Sequence, residues 1–460
     1  MNAHAPTGSS SSTQLPTAST VLQELPFKWN VQGRIFIIGG LGFMFDAWDV
    51  SLNSILIPLL RTEWGLETGE AAWIGTANLI GMAVGAFLWG TIADRLGRKA
   101  AFSWTLGIFA VFTVAGALTD SLGWFVFFRF LAGIGLGGAV PVDYALVGEF
   151  TPRKQRGIIL TAMDGWWPIG AALAGVVSAW LMAMFGDWRY PLLVMVLPAL
   201  LIMFVRLFIP ESPMYLLKQG RDQEARKVID DMVARTGAEA RPYRTDMAAA
   251  QQEPFTPLAF VHQLVALWRF SPKITAVSWL LFLTIMTMYY IGLQWMPTFL
   301  IEAGYEQQRA FLTSAGMAGV GFLGVVIAAV LVERTGRKAV LAIFAPASGV
   351  LLVVLAMLLS AKNPAVLWLV LAYGTVVQIA IPVLYAYVSE MYPTALRGSG
   401  FGWASTISRV GAGFGPLLFV TALVPMLGLV GAFWTVTAVV SAAALVMLFF
   451  APETKGQQLD

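Results

Sequence analysis

Twelve long apolar runs, separated by short polar loops, occupy most of this 460-residue chain. A helix that crosses a bilayer needs roughly 20 mostly apolar residues, and the runs have about that length. Only 12% of the residues are charged, whereas ordinary soluble domains carry about 25%. We therefore predict an all-α membrane protein with twelve transmembrane helices. The helices are expected near residues 33–60, 71–93, 100–119, 123–148, 158–183, 190–209, 273–300, 312–333, 339–360, 364–391, 399–423 and 428–450.

The runs form two groups of six with a polar stretch between them. This division predicts five regions of the chain: an N-terminal tail, a first six-helix half, a central loop, a second half and a C-terminal tail. Their expected bounds are 1–30, 31–209, 210–272, 273–451 and 452–460. Within the central loop, charged residues of both signs surround apolar ones over residues 220–236, which is typical of an amphipathic helix. A connecting helix is favoured over a separate regulatory domain.

Basic residues concentrate in the loops on one side of the predicted bundle. Lys and Arg remain on the cytoplasmic side of membrane proteins, so both termini and the central loop are expected in the cytoplasm. The chain has no cysteine and two histidines, and its net charge is +3. We expect no metal site, no cofactor and no nucleic-acid partner, and the chain contains no Walker-type phosphate loop. We predict a monomer in the lipid bilayer that is not an enzyme.

Three short segments recur in the same order at nearly equal distances. Residues 94–99 (DRLGRK) are matched 239 positions later by 333–338 (ERTGRK), and Pro210-Glu211 is matched 242 positions later by Pro452-Glu453. Glu149, Pro152 and Arg156 are matched 241 positions later by Glu390, Pro393 and Arg397. Repeats in the same orientation predict two pseudo-symmetric halves about an axis along the membrane normal, with a substrate site near the midplane.

The charged residues of these repeats are candidates for gating. An acidic residue, arginines and a glycine turn between two helices could hold one helix end to its neighbour. Breaking such a latch would accompany opening; the alternative is that the basic residues only set the topology. The candidate latch residues are Asp94, Arg95, Arg98, Glu149, Arg156, Glu211, Glu333, Arg334, Arg337, Glu390 and Arg397.

These motifs resemble those of the major facilitator superfamily over nearly the whole chain after the tail. Residues 90–99 (GTIADRLGRK) resemble its signature between the second and third helices, and residues 210–213 (PESP) and 452–455 (PETK) resemble marks of its sugar-porter branch. Arg129 with the following glycines resembles the fourth-helix signature. Residues 42–50 (GFMFDAWDV) and 141–144 (PVDY) resemble bacterial niacin transporters, which implies a bacterial inner-membrane protein working by alternating access.

Ionisable residues inside the predicted helices are functional candidates because charge within a bilayer is costly. By the resemblance, Asp46 corresponds to the first-helix acid of proton-coupled sugar porters and Arg129 to its fourth-helix partner. We therefore predict Asp46 as the proton carrier with Arg129 as its partner; the alternative is a permanent structural ion pair. The roles of Asp49, Asp143 and Asp164 stay open.

Arg409 is the predicted cargo-binding residue. In the organic anion branch that residues 408–411 (SRVG) resemble, an arginine stands where cation transporters carry an acid, and a guanidinium can bind a carboxylate bidentately. An interhelical brace is the alternative. Flat aromatic rings and two amides that would be costly in lipid are further candidates for the cavity. They are Trp166, Trp167, Tyr289, Tyr290, Gln294, Trp295, Gln378 and Tyr385.

The predicted function is uptake of a small aromatic carboxylate, with nicotinate first, by proton symport or facilitated diffusion. A sugar or organic cation porter remains an alternative that the sugar-porter marks favour and Arg409 disfavours. A transport-inactive membrane receptor is the third possibility, although it would be expected to have degraded repeat signatures.

Overall fold

The computed structural model describes residues 15–245, 257–359 and 363–455. Parts of the predicted tails and of the central loop therefore lie outside the described residues, as does the side chain of Asp94. Regular structure in the described residues is helical, apart from one isolated β-bridge between Thr17 and Arg244. The predicted all-α fold is confirmed.

The first half consists of six helical spans, several of them interrupted. Spans 1, 2 and 3 are single helices, span 4 is divided at Gly138, span 5 is divided near Asp164, and span 6 contains a 3₁₀ turn. Their bounds are Gln32–Trp64, Thr68–Leu96, Arg98–Ala117, Leu122–Gly137 with Ala139–Phe150, Arg153–Met163 with Trp166–Phe185, and Arg189–Leu193 with Val194–Val196 and Leu197–Phe208.

The second half repeats this plan with fewer interruptions. Spans 7 to 10 are continuous, and span 11 passes through a π-helical turn directly into span 12, whose first turns are broken at Gly428. Their bounds are Pro272–Glu302, Gln307–Thr335, Arg337–Leu359, Ala365–Glu390, Thr394–Leu418 with Phe419–Leu423, and Val424–Phe450.

Ten helical stretches in the described residues are long and apolar enough to cross a membrane. The difference from twelve has two causes. Spans 11 and 12 run on as one stretch, and the interrupted span 6 is shorter than the rest. With both taken into account, the twelve spans predicted from the sequence are present.

Small residues bring two spans together in each half, at corresponding positions. A side chain at Gly133 would collide with the backbone of span 2 at Asn78, and one at Gly374 would collide with span 8 at Met317. Gly374 follows Gly133 by 241 positions, the offset of the sequence repeat. Close backbone approach through glycine is a common way to pack helices in membranes, and here it is duplicated with the fold.

The loops that carry the repeated motifs lie at one end of the bundle, which we call the motif end. The N-terminal helix Ala18–Glu24 and the linker helices Pro213–Lys218 and Asp222–Thr236 share one apolar cluster there. Asp222–Thr236 lies within the segment whose pattern favoured an amphipathic helix, and it buries Ala225, Ile229, Met232 and Val233. A fourth helix, Pro257–Phe270, leads into span 7.

The two halves pack against each other at the opposite end. Arg61 at the end of span 1 forms an ion pair of 2.6 Å with Glu302 at the end of span 7. Span 2 packs on span 11, where Thr76 Oγ1 donates a hydrogen bond of 3.0 Å to the Gly413 carbonyl. Span 5 packs on span 8. The halves are thus joined at the end remote from the motif loops.

Candidate functional site

A fully buried ion pair lies in the first half. Arg129 of span 4 donates two hydrogen bonds to the carboxylate of Asp49 in span 1, one of 2.8 Å to Oδ1 and one of 2.6 Å to Oδ2. Both side chains have 0% exposure. This bidentate geometry is the strongest way in which a guanidinium binds a carboxylate.

Two buried amides complete this cluster. Asn53 of span 1 accepts a 2.8 Å hydrogen bond from Arg129 and donates one of 3.2 Å to Asn78 of span 2. Asn78 in turn donates to Asp49 Oδ2 at 3.2 Å. The sequence analysis missed both amides, although a polar amide inside an apolar span is itself a signal of a buried partner.

The predicted pairing of Arg129 with Asp46 is wrong, because Arg129 pairs with Asp49. The two acids are three residues apart and so project about 60° apart around the helix. Asp49 faces Arg129 of span 4. Asp46 lies one turn nearer the motif end and interacts electrostatically with Arg409 of span 11.

Asp46 and Asp143 are the second group of buried acids. Both have 0% exposure, and neither carboxylate forms a hydrogen bond within the described residues. Asp143 interacts electrostatically with Asp46. Asp164 differs, since it accepts a short hydrogen bond from the Tyr144 hydroxyl.

Arg409 is partly buried and lies among groups from several spans. Its charge acts on Asp46 of span 1, Tyr290 of span 7 and Tyr385 of span 10. Close packing of Gly411 against Leu283 and Thr287 of span 7 fixes the position of span 11 here. The guanidinium therefore lies between the two halves, where it interacts electrostatically with one carboxylate and two phenols.

Tyr289 connects the two halves through hydrogen bonds. Its hydroxyl accepts one of 2.9 Å from Trp167 Nε1 of span 5 and one of 3.3 Å from Gln378 Nε2 of span 10. The ring contacts that of Tyr290 edge-on, with centroids 5.3 Å apart. The structure thus brings together four of the predicted cavity residues, each of which presents a ring or an amide.

The remaining predicted cavity residues have different surroundings. Trp166 packs on Gly40 of span 1, and Gln294 packs on Gly75 of span 2 with its Nε2 unpaired among the described residues. Tyr385 stacks on Phe282 with centroids 5.4 Å apart. Trp295 stacks on Phe299 in the apolar core. Its Nε1 is buried without a partner among the described residues.

The repeated motif loops form matching ion pairs, one within each half. Arg98 pairs with Glu149 at 3.3 Å, and Arg337 pairs with Glu390 through two hydrogen bonds of 2.9 Å. Glu333 is 3.8 Å from Arg337. Each pair joins neighbouring spans of the same half.

The end-of-half glutamates cap the loops that follow spans 2 and 8. Glu211 accepts a hydrogen bond from the Lys99 backbone N–H, and Glu453 accepts them from those of Arg337 and Lys338. Each carboxylate lies against a glycine with positive φ, 93° at Gly97 and 89° at Gly336. Only glycine adopts such angles without strain, which explains its place in both loops.

Four other predicted latch arginines form no ion pair within the described residues. Arg156 donates to the Thr151 carbonyl, and the Arg397 Nε is unpaired. Arg95 and Arg334 contribute carbonyl oxygens, which accept from the Tyr215 hydroxyl and the Lys455 ammonium.

Comparison with known proteins gives a consistent assignment. The family profile of the Major Facilitator Superfamily matches residues 39–416. The niacin transporter NiaP of Acinetobacter baylyi is 33% identical over 423 residues, covering 92% of this chain and 94% of that one. The 4-hydroxybenzoate transporter PcaK of the same organism is 31% identical, with 86% of each chain covered.

Solved structures agree on the fold. An inward open structure of the xylose transporter XylE from E. coli has a TM-score of 0.72 and 21% identity, covering 93% of this chain and 98% of that one. The resemblance noted in the motifs is thereby confirmed. The chain belongs to the major facilitator superfamily and is a membrane transporter rather than an enzyme.

Proposed function

We propose that this transporter takes up a small aromatic carboxylate, with nicotinate as the first candidate, by alternating access coupled to protons. The observation that carries the proposal is Arg409, a partly buried guanidinium between the halves with tyrosines beside it. A guanidinium fits a carboxylate, and phenol rings fit a flat aromatic ring. Relatives named as niacin and 4-hydroxybenzoate transporters carry cargo of this chemistry.

The predicted membrane topology determines which end of the bundle faces the cytoplasm. With the basic motif loops and both termini in the cytoplasm, the motif end faces the cytoplasm of a bacterium. Since the halves are joined at the opposite end, by Arg61–Glu302 among other contacts, the site would open inward. We assign residues 31–209 and 273–451 to the two moving halves of a monomer and 210–272 to their connection.

The motif ion pairs then act within each half and do not join the two halves to each other. Arg98–Glu149 and Arg337–Glu390 each join spans of one half, and both are formed in this structure. They would hold each half rigid while it rocks against the other. Asp46 remains the proposed proton carrier without Arg129, which pairs with Asp49.

Uptake of labelled nicotinate into proteoliposomes tests the proposal. We expect accumulation when the outside is more acidic than the lumen, and competition by benzoate but not by neutral nicotinamide. No uptake would overturn the assignment, and uptake insensitive to the gradient would overturn the coupling.

Replacing Arg409 by lysine tests the recognition of the carboxylate. Lysine keeps the charge but loses the bidentate geometry, so we expect the apparent affinity to fall about tenfold or more, the equivalent of one charge-assisted hydrogen bond. Arg309→Lys, at an exposed arginine at the start of span 8, is the matched control. Unchanged affinity in Arg409→Lys would contradict bidentate binding.

A further inference from the structure

Asp143 of span 4 lies against the first span beside Asp46. A Cβ atom placed on Gly42 would be 3.0 Å from Asp143 Oδ2. Gly42 and Asp46 are four residues apart, so they lie on the same face of the helix, one turn from each other. The Asp143 carboxylate thus lies on the face of span 1 that carries Asp46, about one turn from it, and the two acids interact electrostatically.

The surroundings of this acid pair contrast with those of Asp49. Asp49 receives donors from Arg129 and Asn78, which stabilise a buried negative charge. Asp46 and Asp143 are equally buried, yet no hydrogen-bond donor reaches either carboxylate in the described residues. Two neighbouring carboxylates in such a place cannot both be ionised without a large cost, and a proton between them relieves it.

Charged and titratable groups face this pair from each side. They are Arg409 from span 11, Tyr290 from span 7 and Asp49 from span 1, each of which interacts electrostatically with Asp46. Tyr144 of span 4 lies beside Asp143, with Asp164 of span 5 and Tyr385 of span 10 behind it. Because Arg129 already neutralises Asp49, Arg409 is the cation that acts on Asp46 among the described residues.

We propose that Asp46 and Asp143 share one proton in the empty transporter and take up a second when a carboxylate binds at Arg409. The inference rests on the proposed function and gives its coupling a mechanism. With one proton, the acid pair has a charge of −1, which Arg409 balances.

An incoming carboxylate competes with Asp46 for that guanidinium. When it binds, a proton from the adjoining solution moves to a carboxylate oxygen of the acid pair, which becomes neutral, and Arg409 pairs with the cargo. The net charge of the site is zero before and after. One monovalent carboxylate is therefore carried with one proton, and the transport cycle is electroneutral.

Proton uptake on binding tests this exchange. The purified transporter is mixed with nicotinate in weakly buffered solution that contains a pH indicator dye. We expect about one proton per nicotinate, and an apparent Kd that rises about tenfold for each pH unit above the midpoint, as linkage of one proton requires. Binding without proton uptake would overturn the proposal.

Substitutions of Asp46 and Asp143 distinguish the roles of the two acids. Asp46→Asn leaves Arg409 without its internal counter-ion, so nicotinate should bind with a Kd independent of pH and without proton uptake. In Asp143→Asn the new amide can still donate a hydrogen bond to Asp46, so proton uptake on nicotinate binding should be retained. Asp143→Leu offers no such donor to stabilise ionised Asp46, so the pH midpoint of the apparent Kd should shift to higher pH. Asp231→Asn, at an exposed acid of the linker helix, is the control. Normal proton uptake in Asp46→Asn would refute the shared site.

An infrared measurement on the substrate-free protein tests the shared proton independently of which cargo the transporter binds. The carbonyl band of a buried protonated carboxyl should be lost in Asp143→Asn, where Asp46 pairs with Arg409 alone, and retained in Asp46→Asn. If nicotinate fails to bind, the proposed function fails while this band still reports the shared proton. A band unchanged in Asp143→Asn would overturn the sharing.

Discussion

The two halves of the transporter have the same plan at the motif end and differ in the middle of the membrane. Gly97 and Gly336 turn in the same way beside the end-of-half glutamates, and each half has an arginine–glutamate pair between neighbouring spans. At mid-membrane, by contrast, the first half has a closed cluster around Arg129 and the separate buried acids Asp46 and Asp143, whereas the second half presents Arg409.

The repeat shows that these central charges have no counterparts. Counting from the matched Gly133 and Gly374, Arg129 corresponds to Val370, a fully buried apolar residue. Counting from the matched Arg156 and Arg397, Arg409 corresponds to Pro168. What is duplicated builds the fold, and what is not duplicated is where we locate the transport chemistry. Each prediction below tests one side of this division.

The largest effect is expected from breaking the buried pair of the first half. Asp49→Asn leaves Arg129 buried without its counter-charge, which should destabilise the protein by about 3–5 kcal/mol. The double variant Asp49→Asn with Arg129→Met removes both charges and should recover much of this loss. Thermal unfolding in detergent measures both.

The exposed pair of Asp231 and Arg235 supplies the control for this experiment. Asp231→Asn should cost less than about 1 kcal/mol, because solvent screens a surface ion pair. A double variant no more stable than Asp49→Asn alone would show that the cluster is held by something other than charge pairing.

The cluster also shows where the sequence was informative and where it was not. Apolar length and the repeat predicted the spans, and the motif pairs followed because their residues lie at matching positions in loops. The choice between Asp46 and Asp49 could not be made in this way. Both lie on one side of span 1, and only the packing of span 4 determines which of them meets Arg129.

Long-range contacts explain what else the sequence left open. Asn53 and Asn78 were detectable as amides in apolar spans, but their link to Arg129 depends on three spans meeting. The stacking of Trp295 on Phe299 likewise depends on how span 7 packs and could not be read from the pattern of aromatic residues. The contacts that join the halves at one end have no local signal, since Arg61 and Glu302 are 241 positions apart and Thr76 and Gly413 are 337 apart.

An intermediate effect is expected at the motif end, where the halves match without being equal. Glu390 accepts two hydrogen bonds from Arg337 and one of 2.6 Å from Thr454 Oγ1. Glu149 accepts one of 3.3 Å from Arg98 on Oε1, and its Oε2 has no partner among the described residues. We expect Glu390→Gln to destabilise by about 1.5–3 kcal/mol and Glu149→Gln by about 1 kcal/mol or less.

Thermal unfolding of the two glutamine variants at one pH decides the comparison. Equal losses would mean that the motif pairs contribute alike, and that the geometry of the second-half pair adds no stability. A larger loss in Glu149→Gln would reverse the asymmetry that we describe.

The smallest effect is expected at Glu453, the end-of-half acid of the second half. Burial of this carboxyl raises its pKa, but hydrogen bonds from the backbone N–H groups of Arg337, Lys338, Lys455 and Thr454 outweigh burial and hold the pKa below its usual value. A lowered pKa in the folded state means that the carboxylate stabilises the protein above its ordinary pKa of about 4.3. That stabilisation is lost as the pH falls from there through the folded-state pKa of Glu453.

The difference in melting temperature between the wild-type protein and Glu453→Gln should therefore be constant near neutral pH and shrink in acid. Glu211→Gln is the matched variant of the first half, where the glutamate accepts from the Lys99 and Ser212 N–H groups. If Glu453→Gln unfolds at the wild-type temperature at every pH, the capped loop of the second half does not depend on its carboxylate charge. The motif loops of the two halves would then resemble each other in backbone geometry alone.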